Sequence, residues 1–299
     1  MMSPLVSVVV PSYNHEKFLK ERIDSILNQT FQDFELIILD DLSPDNSREI
    51  IETYRAHPKV SKIVYNEKNS GSTFFQWNKA IFELAQGEFI WIAESDDVAE
   101  SNLLETLVPI LKNDPEIVLA YCQSARMDSD GNITGSWITH TEKMSRSNIF
   151  DNSFIVSGSD FVADYLIHRN TIPNASAIIF KKHTYKHVGG AVEDLKTNGD
   201  WDLWVKMALN GKIAYERKEL NYFRYHSSSV IAKANINNSR LKLIKNLLEY
   251  DISLRFSINE YLKNHKIFYK KIYSKNKFVL YKNKFLLGLI NTLDLKKTK

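Results

Sequence analysis

The chain has 299 residues, 43% of them hydrophobic and 25% charged, with a formal net charge of +3. That composition buries one large core or two fused ones and excludes a disordered polyelectrolyte. The single cysteine, Cys122, excludes an internal disulfide and reads as a small buried side chain in a reducing compartment, the cytoplasm by default.

The apolar opening MMSPLVSVVVPSYN has no basic residue before it and no small-residue cleavage site after it, so it reads as a first strand and not a signal peptide. No later stretch approaches the roughly eighteen apolar residues of a membrane-spanning helix. Residues 5–10 are a β-branched run; residues 15–29 carry Phe18, Leu19, Ile23, Ile26 and Leu27 at helical spacing; residues 34–39 are a second apolar run. Ser43-Pro44-Asp45 opens a predicted helix over 46–56, with Pro44 and Asp45 suited to its first turn. A third strand is predicted over 60–65, a third helix over 72–85, and a fourth strand over 89–92. Parallel strands with helical crossovers predict a doubly wound α/β sheet, mostly parallel with helices on both faces, whose ligand lies beyond the strands' carboxyl ends.

Those ends are residues 11–14, Asp40-Asp41, and Glu94-Ser95-Asp96-Asp97, so carboxylates collect at one edge of the sheet. Acids placed directly after a strand buried on both faces repel one another and lose solvation, and a divalent metal is the usual remedy. A solvated loop whose Asp starts the next helix fits the same residues. Neither GxGxxG nor a GxxxxGK loop occurs, which argues against a dehydrogenase or a P-loop enzyme.

In the second half, residues 103–111 read as a helix, 117–121 and 173–180 as strands, and Asp130-Gly131-Asn132 as a hairpin turn. Residues 140–157 are polar without a period and are expected to form a mobile loop over an acceptor. Gly189-Gly190 is a turn or a close approach of bare backbone to a ligand. Asp200 precedes the apolar-periodic run 201–210, with Gly211 beyond its end, where an N-cap role fits. Residues 262–299 hold eleven lysines against one acid, Asp294, leaving the rest of the chain at −7. Interleaved aromatic and aliphatic residues make this segment either an amphipathic surface for an anionic bilayer or a stripe that packs on the main domain. Without an arginine stripe, and beside an acidic body, it does not read as a nucleic-acid site.

Three segments, VSVVVPSYNHEKFLKERIDSILNQTFQDFELIILDDLSPDNS, NSGSTFFQWNKAIFELAQGEFIWIAESDD and GDWDLWVKMALNG, together resemble the bacterial family 2 glycosyltransferases of the GT-A fold. The resemblance implies a GT-A domain over 1–230, with a nucleotide-binding half at 1–97 and an acceptor-binding half at 98–230, followed by a helical basic extension at 231–299. It implies transfer of a sugar from a nucleotide-diphosphate sugar, UDP by family habit, to a saccharide hydroxyl with inversion, assisted by Mn²⁺ or Mg²⁺. Cell-surface polysaccharide synthesis is implied, with the cytoplasm or its side of the membrane's inner face as the setting and a free or lipid-linked saccharide as acceptor. By the same resemblance Pro11 and Tyr13 line the nucleotide, with Tyr13 stacking on the base, and Asp41 accepts from the base edge. Asp97 is the direct metal ligand, Asp96 sits nearer the ribose or a metal-bound water, and Asp200 is the catalytic base. His226 and Glu94 are implied contacts to the diphosphate or metal. The chain departs from the family at Leu42, where Gly is common, at Glu94, where Asp is common, and at Trp77, where an Arg often precedes the Asn; Lys79 or the tail would then supply the phosphate charge. These departures keep a catalytically inactive nucleotide-sugar-binding or scaffold protein of the same fold as the alternative.

Overall fold

In the first hundred residues, apolar runs and helical stripes alternate, and strands alternate with helices accordingly. The strands β1 (Val6–Ser12) and β2 (Phe34–Asp40) are buried along their whole length, as expected of parallel strands covered on both faces. Between them α1 (Glu16–Leu27) buries Phe18, Leu19, Ile23 and Ile26 on one face, and Arg22 with them. The chain continues through α2 (Ser47–Thr53), β3 (Val60–Tyr65), α3 (Thr73–Lys79) and β4 (Phe89–Ile92). The helix expected over 72–85 is regular only to Lys79; Ala80–Leu84 is wound more loosely, as a π-helical turn closed by Ala85 N–H donating to Ala80 O at 2.8 Å.

The second half contains β5 (Val98–Ala99), α4 (Leu103–Asn113), β6 (Ile117–Met127), β7 (Ile133–Ser136), α5 (Ile138–Thr141), β8 (Phe154–Ser157), α6 (Gly158–Phe161), β9 (Ile178–Lys181), α7 (Lys182–His187), α8 (Gly199–Ala208) and β10 (Lys212–Arg224). This computed structural model describes residues 3–142, 149–166, 169–195 and 198–226. The basic extension at 231–299, with its lysine-rich part at 262–299, lies outside the described residues. Among the described residues no helix is long and apolar enough to cross a membrane.

The strands form one sheet in the order β3-β2-β1-β4-β9-β6-β10-β5, with β7 added to β6 and β8 to β10. The first four strands are parallel, in register Val8↔Leu36 and Val8↔Trp91 about the central β1. Beyond β4 the sheet is mixed: β9 runs antiparallel to β4 and β6, whereas β10 is parallel to β6 and antiparallel to β5 and β8. Successive residues of the central strands serve opposite cores. Val9, Ile37 and Ile90 pack with Trp77 and Trp204 on one face, and Val8, Leu36 and Trp91 pack with Leu19 and Leu107 on the other.

Three further expectations change. Within 140–157, residues 143–148 lie outside the described residues, but Ile149–Asp151 forms a 3-10 turn and 154–157 forms β8. The anchor is Phe150, whose ring centroid lies 6.2 Å from Phe161 and 5.8 Å from Tyr215. The strand expected over 173–180 shortens to Ile178–Lys181 because Ala175–Ala177 forms a 3-10 turn. Asn198, not Asp200, precedes α8, and Asp200 sits within the first turn.

Gly158 shows how closely the second half is packed: a Cβ there would stand 1.9 Å from Ala208 O and 2.4 Å from Gly211 O, both backbone atoms that cannot rotate away. Gly158→Ala is expected to lower the free energy of unfolding by about 1–3 kcal/mol, read as a lower urea midpoint with unchanged slope. An unchanged midpoint would show that the α6–α8 contact is loose.

Candidate active site

Three strand ends build the site. Pro11 lies buried in β1. Val9 O accepts from Ala93 N at 2.8 Å, so the alternate residue Pro11 directs its nitrogen to the same side, beyond the end of β4, where no ladder hydrogen bond is lost. The chain then turns at Asn14, with φ 58°, leaving Tyr13 48% exposed at the rim. The facing loop after β2 also bends through a left-handed residue, Leu42 with φ 62°. Leu42 thus adopts the backbone that glycine supplies without strain, and Asn14 N donates to Ser43 Oγ at 3.0 Å to hold the two loops together.

Asp41 is only 5% exposed. Its carboxylate accepts from Asn66 Nδ2 and Gln76 Nε2, both at 2.8 Å, and from Ser70 through N–H at 3.0 Å and Oγ at 2.8 Å. Its acceptor positions are therefore engaged in fixing the 66–76 wall. Lys79 donates to Asn66 Oδ1 at 2.8 Å in the same network.

After β4 the three acids diverge. Glu94 turns towards α3, where Oε1 accepts from Trp77 Nε1 at 3.0 Å; burial, then the charges of Asp96 and Asp97, push its carboxyl up to about 8. Trp77 itself is buried core. Asp97 points inward. Its Oδ1 accepts from Arg224 N at 3.0 Å, whereas its buried Oδ2 has no hydrogen-bond partner. Burial and the neighbouring Asp96 charge push it up to about 7. Asp96 faces outward to two imidazoles: His226 Nε2 is 2.9 Å and His15 Nε2 4.0 Å from its Oδ2. Burial opposes its ionisation, but the His226 hydrogen bond and both imidazoles outweigh burial and hold its pKa low.

His15, Asp96 and His226 bring one donor atom each to within 4.8 Å of one another. Ser95 Oγ lies 2.8 Å from His15 Nδ1, so an Nδ1–H donated to Ser95 leaves the Nε2 lone pair facing Asp96. Two imidazoles and a carboxylate, with the unpartnered Asp97 Oδ2 behind them, fit a first-row divalent cation such as Mn²⁺ better than Mg²⁺, which favours an all-oxygen shell.

Sequence reading did not find the residues that offset this negative charge. Arg22 lies fully buried over the Trp91 ring, 5.0 Å from its centroid, with no hydrogen-bond partner for its guanidinium. Burial lowers its pKa to about 10, opposed by the charges of Asp97, Asp96 and Glu94. Its signal was present: a charged residue within the apolar stripe of α1. Arg224 donates Nε–H to Asp96 O at 2.8 Å and NH2 to Glu21 Oε2 at 2.6 Å, and nothing in its local sequence marks it.

Asp200 is carried by the first turn of α8, above Gly199, whose Cα packs against the Phe74 ring. Asn170 Nδ2 donates to Asp200 Oδ2 at 3.2 Å, and burial pushes the carboxyl up to about 6. Gly189 and Gly190 take φ of 78° and 74° in a turn packed on Asn78 and Tyr185.

An acidic turn at the carboxyl ends of a mixed sheet with helices on both faces defines the GT-A class. The structure aligns with residues 1–349 of S. aureus TarS in complex with UDP-GlcNAc at a TM-score of 0.69 and 22% identity, over 88% of this chain and 72% of that one. It also aligns with a Pyrobaculum calidifontis mannosyltransferase in complex with GDP-Man and Mn²⁺ at a TM-score of 0.55 and 14% identity, over 100% and 89% of the two chains. In sequence, the putative teichuronic acid biosynthesis glycosyltransferase TuaG of Bacillus subtilis is 31% identical over 228 residues, 76% of this chain and 81% of its own. Glycosyltransferase GlyG of Streptococcus pneumoniae is 26% identical over 289 residues, 85% and 90% of the two chains. The family model "Glycosyl transferase family 2" matches residues 7–167, and the chain belongs to that family.

If the His15–Asp96–His226 cluster takes the cation, Asp96→Asn and His226→Ala each weaken Mn²⁺ binding by about tenfold or more, measured from the electron paramagnetic resonance of free Mn²⁺. Wild-type affinity in both variants would place the cation elsewhere.

Proposed function

We propose that this glycosyltransferase moves a sugar from a nucleotide-diphosphate donor, a UDP-sugar first, to a saccharide hydroxyl with inversion. The observation that carries the reading is the convergence of Asp96, His15 and His226 beside the exposed Tyr13, on the sheet edge where a doubly wound fold takes its ligand. Tyr13 offers its ring to the base. Asp41 shapes the base pocket by holding Asn66, Ser70 and Gln76, and a base N–H reaches it by replacing one of those donors. Asp96, with Asp97 and the two imidazoles, would hold a divalent cation, which would supply positive charge to the diphosphate. Glu94, bonded to Trp77, orients the acidic turn.

Asp200 takes the acceptor proton as the hydroxyl oxygen bonds to the anomeric carbon and the bond to the diphosphate breaks. A carboxyl raised to about 6 is a stronger base than an ordinary carboxylate and is still ionised at neutral pH. Turnover is therefore expected to rise with pH through about 6 and to fall by about 100-fold or more in Asp200→Asn. Because the folded-state pKa is raised, ionisation of Asp200 costs stability once pH exceeds it. Asp200→Asn should then melt roughly 2–4 °C higher than wild type near pH 8 and show little gain near pH 4. Full activity of this variant would remove the base assignment.

The donor is tested by calorimetric titration of UDP, GDP, CDP and dTDP with Mn²⁺ and with EDTA. Metal-dependent binding of one nucleotide is expected. Binding without turnover on any sugar nucleotide would leave a binding protein of the same fold, and no binding at all would sink the donor assignment. The lysine-rich segment 262–299 is proposed as a contact to an anionic membrane surface; loss of flotation with anionic liposomes on its deletion is the expected result, and equal flotation of both forms would refute it.

A further inference from the structure

Beside Asp200 lies a second constellation that the donor chemistry does not use. Asn170 links the two: its side-chain amide donates to Asp200 Oδ2 at 3.2 Å, and its carbonyl accepts from His140 Nε2 at 3.2 Å. His140 packs edge-on to Trp137, ring centroids 4.8 Å apart, and Trp137 meets Phe223 at 5.7 Å, which meets Tyr225 at 5.0 Å. Tyr225 is 44% exposed and immediately precedes His226, the partner of Asp96. A band of rings therefore runs from the base to the acidic turn.

Two guanidiniums lie on this band. Arg126 stacks over Trp137 with its carbon 5.0 Å from the ring centroid and donates to Thr139 Oγ1 at 3.3 Å. Arg169 donates to His140 O at 2.7 Å. Among the described residues neither pairs with a carboxylate, although exposed arginines elsewhere in the chain do, such as Arg55 with Glu52. Two atoms in this cluster, Arg126 Nε and Trp137 Nε1, are buried with no hydrogen-bond partner, an arrangement that is costly unless something else accepts from them. His140 is held neutral by burial and then by Arg169 and Arg126. With Nε2–H committed to Asn170, its Nδ1 is left as an acceptor without a partner among the described residues.

These features match one class of ligand. Aromatic faces pack against the C–H faces of pyranose rings, a neutral imidazole nitrogen accepts from a hydroxyl, and unpaired guanidiniums bind carboxylate or phosphate through parallel N–H bonds. We propose that the face of Arg126, Trp137, His140, Arg169 and Tyr225 is the acceptor subsite, and that it takes a saccharide carrying an anionic group, a uronate carboxylate or a phosphate, near the hydroxyl that reacts. This rests on the glycosyltransfer reading above and names its acceptor class.

The test is binding of the fluorescently labelled full chain, with UDP and Mn²⁺ present, to an immobilised panel of bacterial saccharides in three arms: uronate-bearing, phosphate-bearing and neutral. Retention on one or both acidic arms is expected, and whichever arm binds identifies the source of the anion. Arg126→Gln and Arg169→Gln should each weaken retention about tenfold or more, and Arg126→Lys should recover part of it. Arg169 is exposed, so its variant reports binding and not folding. The affinity of both Gln variants for UDP with Mn²⁺, by calorimetry, is expected to equal that of wild type. Preference for neutral saccharides, absence of any retention, undiminished retention in both Gln variants, or loss of UDP affinity in them would each overturn the proposal; the last would move the arginines to the donor diphosphate. Failure of wild type to bind any nucleotide would instead sink the donor reading, a result the saccharide panel, repeated without nucleotide, does not share.

Discussion

The structure depends on keeping three carboxylates within four residues at the end of a buried strand. Like charges about 4 Å apart repel by about 4 kcal/mol even at the effective dielectric of a protein surface, so Glu94, Asp96 and Asp97 cannot stand there unassisted. Each is handled separately. Glu94, its carboxyl pushed up to about 8 by burial and the neighbouring acids, is bonded to Trp77 of α3, Asp97 accepts the backbone N–H of Arg224, and Asp96 is bonded by His226. Arg22 of α1 adds a buried positive charge below the turn. Helices from the first half and the last strand of the second half thus meet at one short segment, and the same electrostatic demand that orders the fold leaves Asp96 facing outward with two imidazoles.

Much of this was legible in the sequence because its evidence is local. β-branched runs and helical stripes placed the first four strands within two residues of their observed ends; three of the runs are buried whole, and the edge strand β3 is half-buried and exposed by turns. The three acids were legible because they are contiguous. The groups that neutralise them were not: Arg224 binds the Asp96 carbonyl from 128 positions away, a pairing that only the threading of β10 creates. Arg22 did break the stripe of α1, but a buried arginine carries no sign of what it faces.

The second half of the chain read less well for a related reason. Residues 149–157 lack a period because Phe150 and Phe154 are held by rings at 161 and 215, on other elements. Asp200 looked like a helix cap, and the cap position belongs to Asn198 instead. What sets Asp200 apart is a raised carboxyl pKa and its bond to Asn170, neither of which the local pattern of α8 encodes. Leu42 shows the reverse: the sequence marks a missing glycine, and the backbone adopts the left-handed conformation regardless.

The placement of β9 and β10 constrains how such a protein diversifies. Both strands come late in the chain yet sit inside the sheet, β9 between β4 and β6 and β10 between β6 and β5. The family match ends at residue 167, before either strand, so a chimera joined there exchanges the middle of the sheet and not a detachable module. Mismatched partners would leave β4 and β6 with unpaired edges, which invite aggregation. Recombination between relatives is then costly at that border. On the acceptor subsite proposed above, new preferences would arise more readily by point substitution, around 126, 137, 169 and 225, where side chains change and the strand order does not.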